Sequence, residues 1–198
     1  MELFENLPTQ ISVNGKPYRI DLDFRNVFRM LNVLGRSELM PAARDYLAIK
    51  CVMKHPPKNA RAALDALKEL IFPDGRRKED YKKITDFTQD ADLIRAAFMQ
   101  TYGINLFRDR LHWCEFICLL HGLPDGNRYK DVLSIRARPL PNPMKYNAEE
   151  RQWLIKAKAE YALKMTDKEQ KNQYSQDVRG IALGLIAWAE SGGENADG

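Results

Sequence analysis

The segment from Asp86 to Leu120, DFTQDADLIRAAFMQTYGINLFRDRLHWCEFICLL, constrains the chain more than any other, because it holds a helix start, a helix stop and a second, densely apolar run. Asp86 is suited to accept from the backbone N–H groups that a helix beginning at Phe87 leaves unpaired, and Gln89 stands at capping-box spacing from it. Phe87, Ala91, Ile94, Phe98 and Tyr102 then recur at steps of four and three. At 3.6 residues per turn that spacing predicts one buried stripe. Gly103 predicts the stop, since glycine tolerates the left-handed turn past a helix end. After Ile104 and Leu106 the chain turns through Arg108, Asp109 and Arg110, and Leu111 to Leu120 reads as an apolar helix closed by Gly122 and Pro124. Helices joined this briefly are expected to pack as neighbours.

Upstream, Leu7, Thr9, Ile11 and Val13 alternate with polar residues, as do Tyr18, Ile20 and Leu22, and Asn14-Gly15 between them predicts a two-residue hairpin turn. That register sets Val13 against Lys16 and Ile11 against Tyr18. A lone hairpin is marginal in water, so its apolar face must lie on helices or on another chain. Asp23 is expected to cap a helix with Phe24, Val27, Phe28, Leu31 and Leu34 on its stripe, stopped by Gly35. Ser37 caps the next in this reading, with Pro41 in its first turn and Leu39, Ala43, Leu47 and Cys51 buried. Asn59 caps a third, carrying Ala63, Leu64, Leu67 and Ile71.

Past the central pair, Asn127 to Arg138 reads as a helix, and Pro139, Pro141 and Pro143 form a stiff connector. The C-terminal part restarts with Asn147/Glu150 and Thr166/Glu169 at capping-box spacing. Its first helix presents Trp153, Ala157 and Tyr161; its second carries Tyr174, Val178, Ile181, Leu185 and Trp188 on one stripe. The fold class predicted is mainly α, a multi-helix bundle with a small N-terminal β-hairpin. Residues 1–140 form the helical domain with the hairpin, 141–190 a C-terminal helical hairpin or extension, and 191–198 a disordered tail.

Charge and cysteine content exclude more than they suggest. The net charge of +4 comes from 31 basic against 27 acidic residues, a well-mixed set that makes no case for nucleic acid. Arg128, Lys130, Arg136, Arg138 and Lys145 are the best basic candidates, and the run from Arg76 to Lys83 offers only Tyr81 for stacking; both read as solvated surface. No targeting signal opens the chain, and the longest apolar run near the C-terminus, Ile181 to Ala189, is far short of the ~20 residues that span a bilayer. Together with three cysteines, an odd number expected to be reduced, this predicts a cytoplasmic protein.

Two clusters invite a chemical reading. Cys114, Cys118 and His121 share a helix face at zinc-ligand spacing. His112 lies half a turn away, however, and large apolar neighbours favour core thiols and partly buried imidazoles. Asp86, Asp90 and Asp92 resemble an acidic centre, yet a cap and two carboxylates near a helix N-terminus explain them. No paired base, positioned nucleophile or phosphate-cradling loop accompanies either cluster, so neither an enzyme, a metal nor a cofactor is predicted. Gly180 and Gly184 leave a flat strip that reads as an intramolecular contact.

The quoted central segment, followed by LHWCEFICLLHGL and a helix ending SIRARPLP, closely resembles a bacteriophage family named only by a gene-product number. VNGKPYRIDLDFRNVFRML is similar to that family's opening hairpin and first helix, so the resemblance runs from about Leu7 to Leu140. One departure is Cys114, where the family carries another large aromatic after the His–Trp pair. The positions that match the motif are Asp23, Phe24, Arg25, Asp86, Phe87, Asp90, Phe98, Tyr102, Gly103, Ile104, Leu106, His112 and Trp113. Members are encoded among tail genes, and the resemblance implies a tail assembly chaperone in the host bacterial cytoplasm that binds the tape-measure protein and other tail proteins. A structural tail or connector component is the alternative, and a nucleic-acid-binding accessory protein the next; self-association is open. Reversible helix-in-groove contacts suit a chaperone's task. The groove is expected between two apolar stripes, Phe98 and Tyr102 on one side and Tyr174, Val178, Ile181, Leu185 and Trp188 on the other.

Overall fold

A computed structural model describes residues 6–72, 84–144 and 146–164 of the chain. The stripe from Tyr174 to Trp188 and the 191–198 tail lie outside the described residues, as do Arg76 to Lys83, Lys145 and the Thr166 cap. Contacts divide the chain into two compact units, Met1–Arg138 and Pro139–Gly198.

The first unit opens with the expected hairpin. Strand β1 (Gln10–Val13) pairs with β2 (Lys16–Arg19) in the register Val13 to Lys16 and Ile11 to Tyr18. Asn14 and Gly15 both take positive φ, 51° and 76°, the backbone that a primed two-residue turn requires. Ile11 and Val13 are buried, and β1 packs on helix α3 (Ala60–Ile71). A hairpin that is marginal alone therefore finds its cover within the chain.

Helix α1 (Phe24–Leu34) begins where Asp23 accepts from the Arg25 N–H at 3.0 Å. Helix α3 begins where Asn59 accepts from the Ala62 N–H at 3.1 Å, and its whole predicted stripe, Ala63, Leu64, Leu67 and Ile71, is buried. Helix α2 (Pro41–Lys50) between them departs from expectation. Ser37 lies in a turn and does not cap it; the cap position is Met40, and Pro41 alone sets the helical entry. The buried residues are Asp45, Ala48 and Ile49, continued by Val52 and Met53, whereas Leu47 is 44% exposed. Ala43 and Leu47 face outward and Leu39 is partly buried, while the buried face carries a carboxylate that Arg61 approaches at 3.4 Å. Charge on the inner face reversed the apparent amphipathicity.

Helix α4 (Ala91–Tyr102) starts four residues later than the sequence suggests. Asp86 does accept from backbone N–H groups, those of Thr88 and Gln89 at 2.9 and 3.0 Å, but it caps a turn that leads into the helix. Gly103 ends α4 at φ 68°, donating to the Met99 carbonyl, and Ile104 donates to that of Phe98. Helix α5 (Trp113–His121) is launched by a capping box: His112 Nδ1 accepts from the Cys114 N–H, and Glu115 accepts from the His112 N–H at 2.8 Å. Cys118 and His121 are exposed, so the expected core placement fails for both. Helix α6 (Arg128–Ala137) is capped by Asn127 and packs on α4 with Tyr129 and Val132 buried.

In the second unit, helix α7 (Ala148–Glu160) buries Leu154 and Ala157. Asn147 precedes it but makes no cap; its side chain reaches back to the Met144 N–H and the Asn142 carbonyl. Trp153, expected on the buried face, is 54% exposed because the inner stripe runs one position further on, through Leu154.

Candidate functional site

The motif residues lie in two distant stretches of sequence, and the fold joins them by backbone. The Phe24 N–H donates to the Leu111 carbonyl at 3.0 Å and the Trp113 N–H to the Leu22 carbonyl at 2.7 Å, so Asp23 and His112 face each other in a short antiparallel bridge. Helices α1 and α5 thus start from one point. His112 Nε2 also meets the Pro8 carbonyl at 3.2 Å, which fixes the ring while Nδ1 serves as the cap acceptor.

An ion cluster closes over this bridge. The Arg25 guanidinium donates to both Asp23 oxygens at 2.9 and 3.0 Å, and Arg110 Nε donates to Asp23 Oδ2 at 3.2 Å while its Nη2 reaches Asp21. Arg25 also donates to the Asp109 carbonyl at 3.0 Å, tying α1 to the loop after α4. Burial pushes the Asp23 carboxyl up, but its bonds from Arg25 and the charge of Arg110 outweigh that, and its pKa lies below the ordinary value.

Below the bridge, aromatic rings fill the space between α1, α4 and α5. Phe116 is the hub: it stacks on Phe24 at 4.9 Å between centroids and on Phe98 at 5.3 Å, and takes Phe28 edge-on at 5.6 Å. Phe28 also meets Trp113 at 5.4 Å and Phe87 at 4.9 Å. Each well-set pair adds ~0.5–1.5 kcal/mol beyond its buried area. The Trp113 indole N–H is satisfied by the Ile71 carbonyl at 3.1 Å.

The outer edge of this cluster is open. Between α1 and the start of α4 runs a trough whose deeper end, about 320 Å³, has Phe28 and Phe87 in its floor and Arg25, Arg29, Arg95 and Phe107 at its rim. A shallower continuation of about 850 Å³ shares Phe28, Arg29, Phe87 and Arg95 and extends to Arg36. Phe107 is 69% exposed, with the Arg95 guanidinium 4.4 Å from its ring centre. Arg29 donates to Asn26 and Arg95 to Asp92.

Of the expected binding stripes, Phe98 and Tyr102 fall within the described residues. Phe98 is wholly buried, and Tyr102 is half-buried with its hydroxyl donating to the Leu119 carbonyl at 2.8 Å. Neither is presented to a partner, because the apolar face of α4 is spent on Phe116 and α5. Ile104 and Leu106 likewise turn inward beside the core. Phe28 falls on the predicted apolar stripe of α1, and nothing in the spacing of Arg29 and Arg95 marks them as the border of an opening.

Asp90 corrects a second expectation. It is 1% exposed and accepts from both Nη atoms of Arg136 at 2.8 Å, while Arg136 also donates to the Ile84 carbonyl. The Asp86 N–H and the Thr85 hydroxyl complete its shell, and Thr85 shares a hydrogen bond with Tyr129. Asp90 is therefore a buried anchor between the α4 entry and α6, and Arg136 is no solvated cation. Burial pushes the Asp90 carboxyl up, yet the arginine and backbone bonds hold it below the ordinary range; burial also raises the Tyr129 hydroxyl.

Burial raises the Cys51 and Cys114 thiols, opposite to what a nucleophile needs. Among the described residues no three histidine, cysteine or acidic side chains are grouped to hold a metal, and no helix is long and apolar enough to cross a membrane.

Residues 3–163 match the model of a family described as the bacteriophage Gp15 protein. The match takes in the hairpin, all of the aromatic cluster and α7, reaching beyond the Leu140 limit of the sequence resemblance. No curated protein and no solved structure is matched by the chain.

Proposed function

The chain belongs to the bacteriophage Gp15 protein family, and on that premise we propose that it is a non-enzymatic tail assembly chaperone that holds the tape-measure protein in the host cytoplasm before the tail encloses it. The observation that supports a binding role is the open trough between α1 and α4, lined by the partly buried rings of Phe28 and Phe87 and by arginines. A trough between two helices suits an amphipathic helix laid along it. A tape-measure chain is expected to display long apolar helical stripes, which aggregate unless covered.

Co-expression with the tape-measure protein encoded nearby, followed by affinity capture and sizing, tests this reading. The expected result is a soluble complex of both chains. Precipitation of the tape-measure protein alone, with this chain soluble and unbound, would remove the chaperone reading. Recovery of this chain from purified particles would instead favour a structural tail or connector component.

A further inference from the structure

We propose that the α1/α4 trough selects an acidic amphipathic helix, one that sets an aromatic or long aliphatic side chain between Phe28 and Phe87 and carboxylates against Arg29 and Arg95. This rests on the helix-binding reading above and adds the chemistry of the bound segment. Three observations carry it.

The rim is cationic: Arg25, Arg29, Arg36 and Arg95 stand along the two connected depressions, against Asp86 and Asp92 as the acidic lining residues. Arg25 is paired with Asp23 and Arg95 with the exposed Asp92, each at 2.9 Å, so the unbalanced positive charge along the opening rests on Arg29 and Arg36, and a docked carboxylate would share Arg95 with Asp92. A partner of the same sign would meet uncompensated repulsion; one carrying carboxylates would be steered in and held in register.

The deep end has the size of a side-chain socket. About 320 Å³ lies at the small end of the ~300–1,000 Å³ typical of ligand pockets, enough for one large side chain and too shallow to swallow an extended ligand. Its rings are braced from behind by Trp113 and Phe116, so the socket is preformed and binding orders little.

One wall is helix α1. Helix α1 spans 11 residues, about 16 Å at 1.5 Å per residue, and the trough follows it from Phe24 to Arg36. That length matches about three turns of a docked helix, whose successive turns bring one anchor and its flanking carboxylates onto the same side.

The test uses the full chain and two synthetic fluorophore-labelled three-turn helical peptides, each with a phenylalanine and a leucine on one face. One carries glutamates beside the anchors and the other lysines at the same places. Anisotropy titration is expected to show the glutamate peptide binding at least about tenfold more tightly, with the preference shrinking as salt screens the rim. The double variant Arg29→Glu/Arg95→Glu changes exposed or half-exposed side chains and should keep the wild-type circular dichroism. It is expected to reverse the preference, binding the lysine peptide better. Amide shifts on adding the glutamate peptide should cluster at residues 24–36 and 87–95. Equal binding of both peptides, an unaltered preference in the double variant, or shifts confined elsewhere would overturn the proposal. Shifts at the trough that grow with protein concentration alone would also overturn it, by making a second copy the occupant. Displacement of the bound glutamate peptide by a single-stranded oligonucleotide would do so too, in favour of a phosphate backbone.

The two readings fail separately. If wild-type and double-variant chains capture the tape-measure protein equally, the trough proposal falls and the chaperone role stands. If the peptides behave as expected while the tape-measure protein is never captured, the trough stands and the chaperone role falls.

Discussion

Asp23 and Asp90 are both carboxylates at the head of a helix, both are almost fully buried, and both are held by arginine, yet they are supported in opposite ways. Asp23 finds Arg25 two residues away and performs a true cap, and its arginines reach it from the surface, where their side chains are 30% and 70% exposed. Asp90 makes no cap bond; its partner Arg136 lies 46 residues on and is itself only 11% exposed. The first is a local device open to water. The second is a buried cross-strut that joins the entry of α4 to α6.

The largest effect should come from breaking that strut. Asp90→Ala or Arg136→Ala breaks a buried ion pair from one side, and chemical denaturation is expected to show a loss of about 3–5 kcal/mol for either. Replacing both together, Asp90→Leu with Arg136→Met, should recover most of that loss, since an apolar pair of similar volume restores packing without desolvated charge. A double variant as unstable as either single one would mean that Thr85, Asp86 and Ile84 are held by the charges rather than by the fold. Asp23→Ala should cost less, about 1–2 kcal/mol for the lost helix cap, because its arginines are left with water to turn to.

Acid provides a third comparison. Both carboxyls titrate below their ordinary value of 3.8 when folded, so as pH falls the unfolded chain takes up these protons first. Their stabilisation is complete above that unfolded value and is lost as pH drops through the lower folded one. Asp90→Asn and Asp23→Asn should each flatten the acid limb of a stability-against-pH curve while lowering its neutral plateau; an unchanged limb would mean the ion pairs contribute nothing to acid sensitivity. The smallest effect belongs to Arg110→Gln. Its exposed contact with Asp21 and Asp23 should yield a slight fall in melting temperature that vanishes in high salt.

The same contrast explains what could be read in the residues beforehand. Asn14-Gly15, Asp23, Asn59 and Gly103 act within a few residues of themselves, so their chemistry predicts turns, caps and stops at the right places. Asp90 with Arg136 looks like an ordinary first-turn acid and an ordinary helix-face cation, because what makes them special is a contact across the fold. Helix α2 misled for a related reason: Asp45 sits on the inner face, where Arg61 from α3 approaches one of its oxygens, and no periodicity rule places a carboxylate in a core. His112 invites a metal reading by its type, whereas its work is to cap α5, a task more often given to serine, threonine, asparagine or aspartate. The trough was missed because openness is a property of how α1 and α4 are set apart, and residue types alone do not record it.

The bridge between the Phe24 and Leu111 backbones has a consequence in time. Leu111 follows Phe24 by 87 positions, so a ribosome adding about 5–20 residues per second delivers it roughly 4–17 s later. Throughout that interval Phe24 and Phe28 lack the Phe116 ring that stacks on one and meets the other, since Phe116 arrives later still. The newborn chain is thus, for some seconds, itself a bearer of apolar helix that lacks its final cover.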